Sequence, residues 1–332
     1  MNTPSATIQA RLLDRRERLA VLVDQGHGGS RLEALLRDVD QAVERITAGT
    51  YGLCDDCHDP IEPDRLEADP LVRLCLDHLT PSEARALEQD LILAAKVQQK
   101  LLPPSPMVAL GWEIAYSYEP LGAVSGDYCD LVKPERLDAG LLLMLGDISG
   151  KGVAASMLMA HLHASMRTLV GFDLSLVQLI ERANRIFCDS TMASHYATLV
   201  GVRLGARGNV EICNAGHCPP LALQDRDVTP IPATGVPIGL FCVKDYAVET
   251  LTLGAGDTLL LYTDGVTEAL NEADQPFGEE RLIKLARRMA GEPPQAIVRA
   301  SVTAVAAFRG RARRLDDVTV VAVRRTGQAQ PF

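Results

Sequence analysis

Gly146-Asp147-Ile148-Ser149-Gly150-Lys151-Gly152 follows directly on the apolar run Leu141-Leu142-Leu143-Met144-Leu145. An uninterrupted apolar run ending at a turn signal predicts a buried strand over 141–145. An Asp at the end of such a strand, between glycines that let the backbone bend and a ligand approach, presents its carboxylate at a sheet edge. The same glycines start a predicted helix over 152–170 carrying Val153, Met157 and Leu158. Gly150-Lys151-Gly152 lacks the full G-x-x-x-x-G-K-[ST] spacing, so no P-loop is read here. Lys151 reads as a solvated surface side chain, with steering of an anionic phosphopeptide as the alternative.

Three other segments repeat this arrangement. They are Ser125-Gly126-Asp127-Tyr128, Tyr262-Thr263-Asp264-Gly265 and Leu315-Asp316-Asp317-Val318-Thr319. Taken singly, each Asp reads as a turn residue. Together, hard carboxylate oxygens suit Mg²⁺ or Mn²⁺. Two such ions, ~3.5–4 Å apart, activate a water and clamp the oxygens of a phosphoryl displacement. Around these segments, alternating or apolar runs predict strands over 112–118, 197–204, 210–213, 247–253, 258–262 and 318–323. Helical spacing intervenes at about 174–189, 279–290 and 294–308. Strands and helices mix without regular βαβ alternation, which predicts an α+β fold with antiparallel sheets.

Spacing alone does not join four distant aspartates into one site; the ordered motifs do. Val124-Ser125-Gly126-Asp127-Tyr128-Cys129-Asp130, then the 146–155 segment, then Asn214-Ala215-Gly216-His217-Cys218-Pro219-Pro220 come first. Gly235-Val236-Pro237-Ile238-Gly239-Leu240, Tyr262-Thr263-Asp264-Gly265-Val266-Thr267-Glu268 and Asp316-Asp317-Val318-Thr319 complete the series. In this order they resemble the SpoIIE/RsbU-type phosphatases, a bacterial branch of the PPM (protein phosphatase 2C-like) superfamily, over about 101–325. The stalk segment Ala95-Lys96-Val97-Gln98-Gln99-Lys100-Leu101-Leu102-Pro103 resembles that family's lead-in. The resemblance implies a PPM-type α/β/β/α layered sandwich and a metal-dependent serine/threonine phosphatase using two Mn²⁺ or Mg²⁺ and a metal-activated water. It implies that Asp147 bridges both metals and that the Ile148 backbone carbonyl ligates one. Asp264 and Asp316 hold the other, and Asp127 binds directly or through water. Asp317 and His217 would support these ligands, His217 being either a general acid or a turn-stabilising residue. The implied substrate is a phosphorylated STAS-type anti-sigma-factor antagonist in partner-switching signalling.

The N-terminal third reads differently. Leu32, Leu35, Leu36, Val39, Val43 and Ile46 recur at helical spacing, after an earlier helix carrying Leu12, Leu13, Leu19 and Leu22. This predicts a helical hairpin over 1–50. Cys54-Asp55-Asp56-Cys57 and Cys75-Leu76-Asp77-His78 then supply three thiolates and an imidazole with zinc spacing over 51–80. A unit with so little apolar surface would draw much of its folding free energy from one structural Zn²⁺. Ile46–Cys54 and Arg65–Pro70 resemble the DksA/TraR-type zinc finger, whose members bind RNA polymerase through acidic hairpin tips. Here the tip falls near Gln25-Gly26-His27-Gly28-Gly29 and is mostly uncharged, which argues against that contact. Cys54-Asp55-Asp56-Cys57-His58 also fits the haem pattern C-x-x-C-H, which leaves the second knuckle unexplained. Ala84, Leu87, Leu91, Ala94 and Leu101 predict a stalk over 81–103 that can dimerise through 81–102. Pro103-Pro104-Ser105-Pro106 divides it from a phosphatase domain over 104–332.

A net charge of -10 argues against sequence-independent nucleic-acid binding. The longest apolar run falls far short of the ~20 residues that span a bilayer, so no membrane contact is expected. Met1 to Ala10 is polar, unlike a signal peptide, and the chain reads as cytoplasmic. Cys129, Cys188, Cys213, Cys218 and Cys242 therefore read as free thiols. The competing function is a non-enzymatic transcription adaptor acting through the finger, with the four retained aspartates against it. Gating of activity by oxidation of the zinc cysteines is a further possibility.

Overall fold

The structure, a computed structural model, describes residues 6–23, 30–78, 81–133, 140–191, 195–242 and 245–327. The chain divides into two units, Met1–Asp90 and Leu91–Phe332.

In the first unit, helices α1 (Ala6–Leu22) and α2 (Ser30–Ala48) bury Leu12 and Leu19 together with Val39 and Ala42. The proposed hairpin tip, 25–29, lies outside the described residues. Gly49 takes φ 72, a left-handed conformation open to glycine, and the N–H groups of Thr50 and Tyr51 return to the Arg45 carbonyl. That stop turns the chain into the cysteine segment and the short α3 (Pro63–Ala68), packed around Tyr51 and Ile61. Helix α4 (Pro81–Leu101) spans the division and leaves Ile92, Leu93 and Val97 exposed.

The second unit is a four-layer sandwich. Its strands and helices, in chain order, begin with β1 (Met107–Ala109), β2 (Trp112–Glu119), β3 (Asp127–Val132) and β4 (Leu141–Ile148). Helices α5 (Gly152–Val170) and α6 (Leu176–Ser190) follow, then β5 (Ala197–Leu204), β6 (Asn209–Ala215), β7 (Leu221–Gln224) and β8 (Asp227–Pro230). The rest is β9 (Glu249–Thr252), β10 (Thr258–Tyr262), α7 (Asp264–Thr267), α8 (Glu279–Arg288), α9 (Pro294–Arg309) and β11 (Val318–Arg325). One antiparallel sheet runs β1-β2-β11-β10-β7-β8 and the other β3-β4-β5-β6-β9.

Side-chain alternation fixes the layers. On β4, Leu141, Leu143 and Leu145 join Cys129, Val200, Leu261 and Val321 in the core between the sheets. Leu142, Met144 and Ile148 face the other way, onto Met159 and Leu162 of α5 and Leu179 and Ile180 of α6. Leu260, Val320 and Ala322 pack instead against Leu282 of α8 and Ile297 of α9. The helices thus cover both outer faces.

The expected helices and the strands 197–204 and 258–262 appear at close to the expected bounds. Strands β1, β3, β7 and β8 were not legible. Strand β3 carries two Asp in six residues, yet all six are buried. Asp130 is accommodated because Arg167 of α5 grips it bidentately, with Nε at 2.7 Å. The free-thiol reading is corrected at one pair: Cys188 and Cys242 form a disulfide. Asn184 brings the two segments together, its amide donating to the Phe241 carbonyl at 2.9 Å and accepting from Gly239 N at 2.8 Å. Nothing local signals a pairing across 54 residues. Among the described residues no helix is long and apolar enough to cross a membrane.

Candidate functional site

Strands β3 and β4 place Asp127 directly opposite Asp147 in the ladder. Both continue the series that faces the space between the sheets, so the two carboxylates come out at the end of that space. From the other sheet, Asp264 starts α7 straight after β10, and Asp316 lies just ahead of β11. Gly126 shows how the first pair is arranged. A Cβ there would lie 3.3 Å from the Ile148 carbonyl oxygen and 3.6 Å from Asp147 Oδ1. The missing side chain leaves a small space that both oxygens border.

The electrostatics record the convergence. Burial, then the nearby charges of Asp264, Asp316 and Asp317, push Asp147 up to about 7, with Lys151 opposing. Burial and the charges of Asp316 and Glu268 raise Asp264. Burial is also the main cause holding Asp127 well above the usual carboxylate range, with Asp147 and Asp317 adding to it. Like charges gathered at a half-buried edge are a poor arrangement for a protein alone and a good one for a cation.

Several residues hold this arrangement, and of these only Asp317 was expected to. Thr263 and Thr319 share the inward alternation of β10 and β11, and both hydroxyls donate to Asp127 Oδ2. The signal was present, since both threonines sit inside the quoted motifs. Asp317 accepts from Leu121 N at 2.6 Å and from Gly126 N at 2.8 Å, tying the loop before Asp127 to β11. Gln98 of α4 exchanges two hydrogen bonds with the Ser125 backbone, at 2.7 and 2.9 Å. Lys151 is not simply solvated: its ammonium donates to Asp316 Oδ2 at 2.7 Å and to the Leu315 carbonyl.

His217 is buried behind the edge. Asn214 closes its turn, accepting from His217 N at 2.7 Å and donating to the His217 carbonyl at 3.1 Å. Its Nδ1 lies 2.8 Å from Thr198 Oγ1, which in turn is 3.4 Å from the Asp147 carbonyl. Burial pulls the imidazole down to about 4, so it is neutral near pH 7.

The first unit holds a second constellation. Ligand atoms of Cys54, Cys57, Cys75 and His78 all lie within 4.8 Å of one another. Cys57 and Cys75 sulfurs are 3.8 Å apart, and Cys75 Sγ is 3.2 Å from His78 Nδ1. Burial opposes ionising Cys54, but backbone N–H groups of Cys57, Cys75 and Asp56 outweigh it and bring the thiol down to about 6. Arg45 and Arg73 both bridge to Asp55, at 3.1 and 2.6 Å, pinning the first knuckle. Three sulfurs and an imidazole nitrogen at this separation suit tetrahedral Zn²⁺. Among the described residues the carboxylates form no group as tight as this one.

Residues 49–77 match the prokaryotic dksA/traR C4-type zinc finger, with His78 falling just beyond the match. The chain is 28% identical over 219 residues to protein IcfG of Synechocystis sp., covering 57% of this chain and 34% of that protein. It is 29% identical over 188 residues to the phosphoserine phosphatase RsbP of Bacillus subtilis, covering 54% of this chain and 46% of that one. The chain thus spans less than half the length of these two relatives. Among solved structures, the SiaA-PP2C domain of Pseudomonas aeruginosa superposes with a TM-score of 0.65 over 74% of this chain and 99% of that domain. At 20% identity that shows a shared fold. Residues 138–326, more than half of the chain and the part that builds most of the sandwich and carries Asp147, Asp264 and Asp316, match the model described as stage II sporulation protein E (SpoIIE), and the chain belongs to that family.

Proposed function

We propose that the second unit is a metal-dependent phosphatase that hydrolyses phosphoserine or phosphothreonine on a regulatory protein. The observation that carries this is the space at Gly126, bordered by Asp147 Oδ1 and the Ile148 carbonyl, where burial and then the nearby Asp264 and Asp316 charges raise Asp147 to about 7. The donor set is all oxygen, which fits Mg²⁺ or Mn²⁺. In this reading Asp147 and the Ile148 carbonyl, with Asp127, hold one side of a two-ion site, and Asp264 and Asp316 hold the other. Two ions bound there would supply an activated water and neutralise the phosphoryl charge.

The chain's own residues set the rest. Thr263 and Thr319 take up one oxygen of Asp127 and leave the other for a ligand. Asp317 fixes the Gly126 loop. His217 positions Asp147 through Thr198 and, buried and neutral, is suited to that rather than to carrying charge. Lys151 holds Asp316 in place until a cation competes for it. The likeness to the phosphoserine phosphatase RsbP supports the substrate class. A phosphorylated STAS-type partner in partner-switching signalling is the substrate that the family resemblance favours, in the cytoplasm. The exposed Ile92, Leu93 and Val97 of α4 are consistent with a homodimer through 81–102.

The test is hydrolysis of a phosphoserine peptide by the full chain. Phosphate release that requires Mn²⁺ or Mg²⁺ and stops on chelation is expected. Purified protein that binds Mn²⁺ but releases no phosphate from any phosphoprotein would leave the adaptor role as the better account.

For the finger we propose one structural Zn²⁺ on Cys54, Cys57, Cys75 and His78. Cys75→Ser is expected to remove stoichiometric zinc and to raise the protease sensitivity of residues 49–78, with the second unit's melting transition retained. Because metal binding supplies much of the folding free energy of so small a unit, the local effect should be large. A Cys75→Ser protein with full zinc content would refute the ligand set.

A further inference from the structure

A cavity of about 540 Å³ opens beside Asp316 and shares Gly265 and Lys151 with the carboxylate edge. Its apolar floor is Val302 and Val305 from α9 with Leu270 from the segment after α7, and the exposed Pro276 also lines it. Its rim is basic, with Arg309, Arg313 and Arg314 from the end of α9 and the segment leading to β11.

The three arginines are not equivalent. Arg314 is committed to the fold: it donates to the Asp316 carbonyl at 2.9 Å and to the Glu119 carbonyl, and lies 3.8 Å from the Glu119 carboxylate. Two acidic lining residues are already paired, Glu119 with Arg314 and Asp316 with Lys151. Arg309 and Arg313 make no ion pair among the described residues, and Arg309 Nε is buried there without a hydrogen-bond partner. Guanidinium groups left in this way fit carboxylates or phosphoryl oxygens, which they bind bidentately. An apolar floor gains from an aliphatic side chain leaving water.

We infer that this cavity is the specificity pocket of the phosphatase. It takes a bulky aliphatic side chain of the substrate protein near the phosphorylated residue, while Arg309 and Arg313 pair with carboxylates of the same acidic segment. The inference rests on the phosphatase reading above. The occupant follows from two features: continuity with the carboxylate edge at Gly265 and Asp316, and two guanidiniums without acidic partners among the described residues, beside an apolar floor.

The experiment uses the full chain with Mn²⁺ and phosphoserine peptides randomised over the residues flanking the phosphoserine. An aryl phosphate, too small to reach the floor, serves as reference. The wild-type protein should favour Leu, Ile or Met together with Asp or Glu. Ala306→Trp, which fills the cavity from α9, should lower the kcat/KM ratio of the best peptide to the aryl phosphate by about ten-fold or more. Arg313→Glu, at an exposed position that folding should tolerate, should turn the acidic preference into a basic one. Variants that hydrolyse peptides with the wild-type's flanking preferences overturn the pocket. A wild-type protein that cleaves neither the aryl phosphate nor any peptide overturns the phosphatase reading beneath it.

Discussion

Asp147→Asn is expected to lower metal-dependent phosphatase activity by on the order of 10³-fold or more, since it removes charge stabilisation at the reacting centre. The same substitution is expected to make the metal-free protein more stable at neutral pH. The sign follows from the direction of the shift. The folded state raises Asp147 to about 7 from its ordinary 3.8, so folding favours the protonated carboxyl. Its stabilising contribution is therefore fully present below about pH 4 and is lost as pH rises through about 7. Asparagine keeps the shape without that ionisation. It should raise the unfolding free energy of the metal-free protein at pH 8 by on the order of 2 kcal/mol, and much less at pH 4. Denaturant unfolding of both proteins in chelator at the two pH values checks this. Equal destabilisation of the mutant at both would contradict the electrostatic account and point to a packing role.

Gly265→Ala is expected to be among the most disruptive single-methyl changes in the second unit. A Cβ at Gly265 would lie 1.8 Å from the Asp317 carbonyl oxygen and 3.3 Å from the Asp316 Cβ. The nearest obstacle is backbone, so no side-chain rotation relieves it. The segment 316–317 must move, and with it go Asp316, the Asp317 bonds to Leu121 N and Gly126 N, and the loop ahead of Asp127. Overpacking of this kind typically costs 1–3 kcal/mol and occasionally more; with backbone as the obstacle, a loss above about 3 kcal/mol is expected here. Metal affinity should fall with it. Gly150→Ala is the useful contrast: nothing lies within 4 Å of its Cβ, though φ +98 makes the substitution strained. Its cost should be smaller and should leave Mn²⁺ binding in place. Thermal melts and Mn²⁺ titrations of the two variants separate the effects; equal losses would show that the close approach at Gly265 is not what matters.

Much of the sandwich was legible because its inner strands are nearly pure aliphatic runs and its helices keep a clean period. Strand β3 was hidden because its two aspartates look like turn chemistry until Arg167, 37 residues away, satisfies one of them. Short strands β7 and β8 carried too few residues for a period to show. At the carboxylate edge, the four aspartates and Asp317 stood out as ordered motifs, while Thr263, Thr319 and Gln98 did not. Thr263 and Thr319 belong to the edge by strand alternation, and that became visible only when β10 and β11 were paired in register. Lys151 was read as solvated because lysine is ordinarily a surface side chain; Asp316, its partner, is 165 residues away. The gathering of Cys54, Cys57, Cys75 and His78 was legible, since knuckle spacing is local, but the Cys188–Cys242 bond was not, since that pairing is made by tertiary contact.

We propose that the carboxylate edge binds two divalent cations. Anomalous scattering at the manganese edge, from crystals of the full chain grown with Mn²⁺, tests it most directly. Two peaks are predicted within coordination distance of Asp127, Asp147, the Ile148 carbonyl, Asp264 and Asp316, distinct from a zinc peak at Cys54, Cys57, Cys75 and His78. Manganese peaks elsewhere, or none at that edge in crystals that show the zinc, would contradict it.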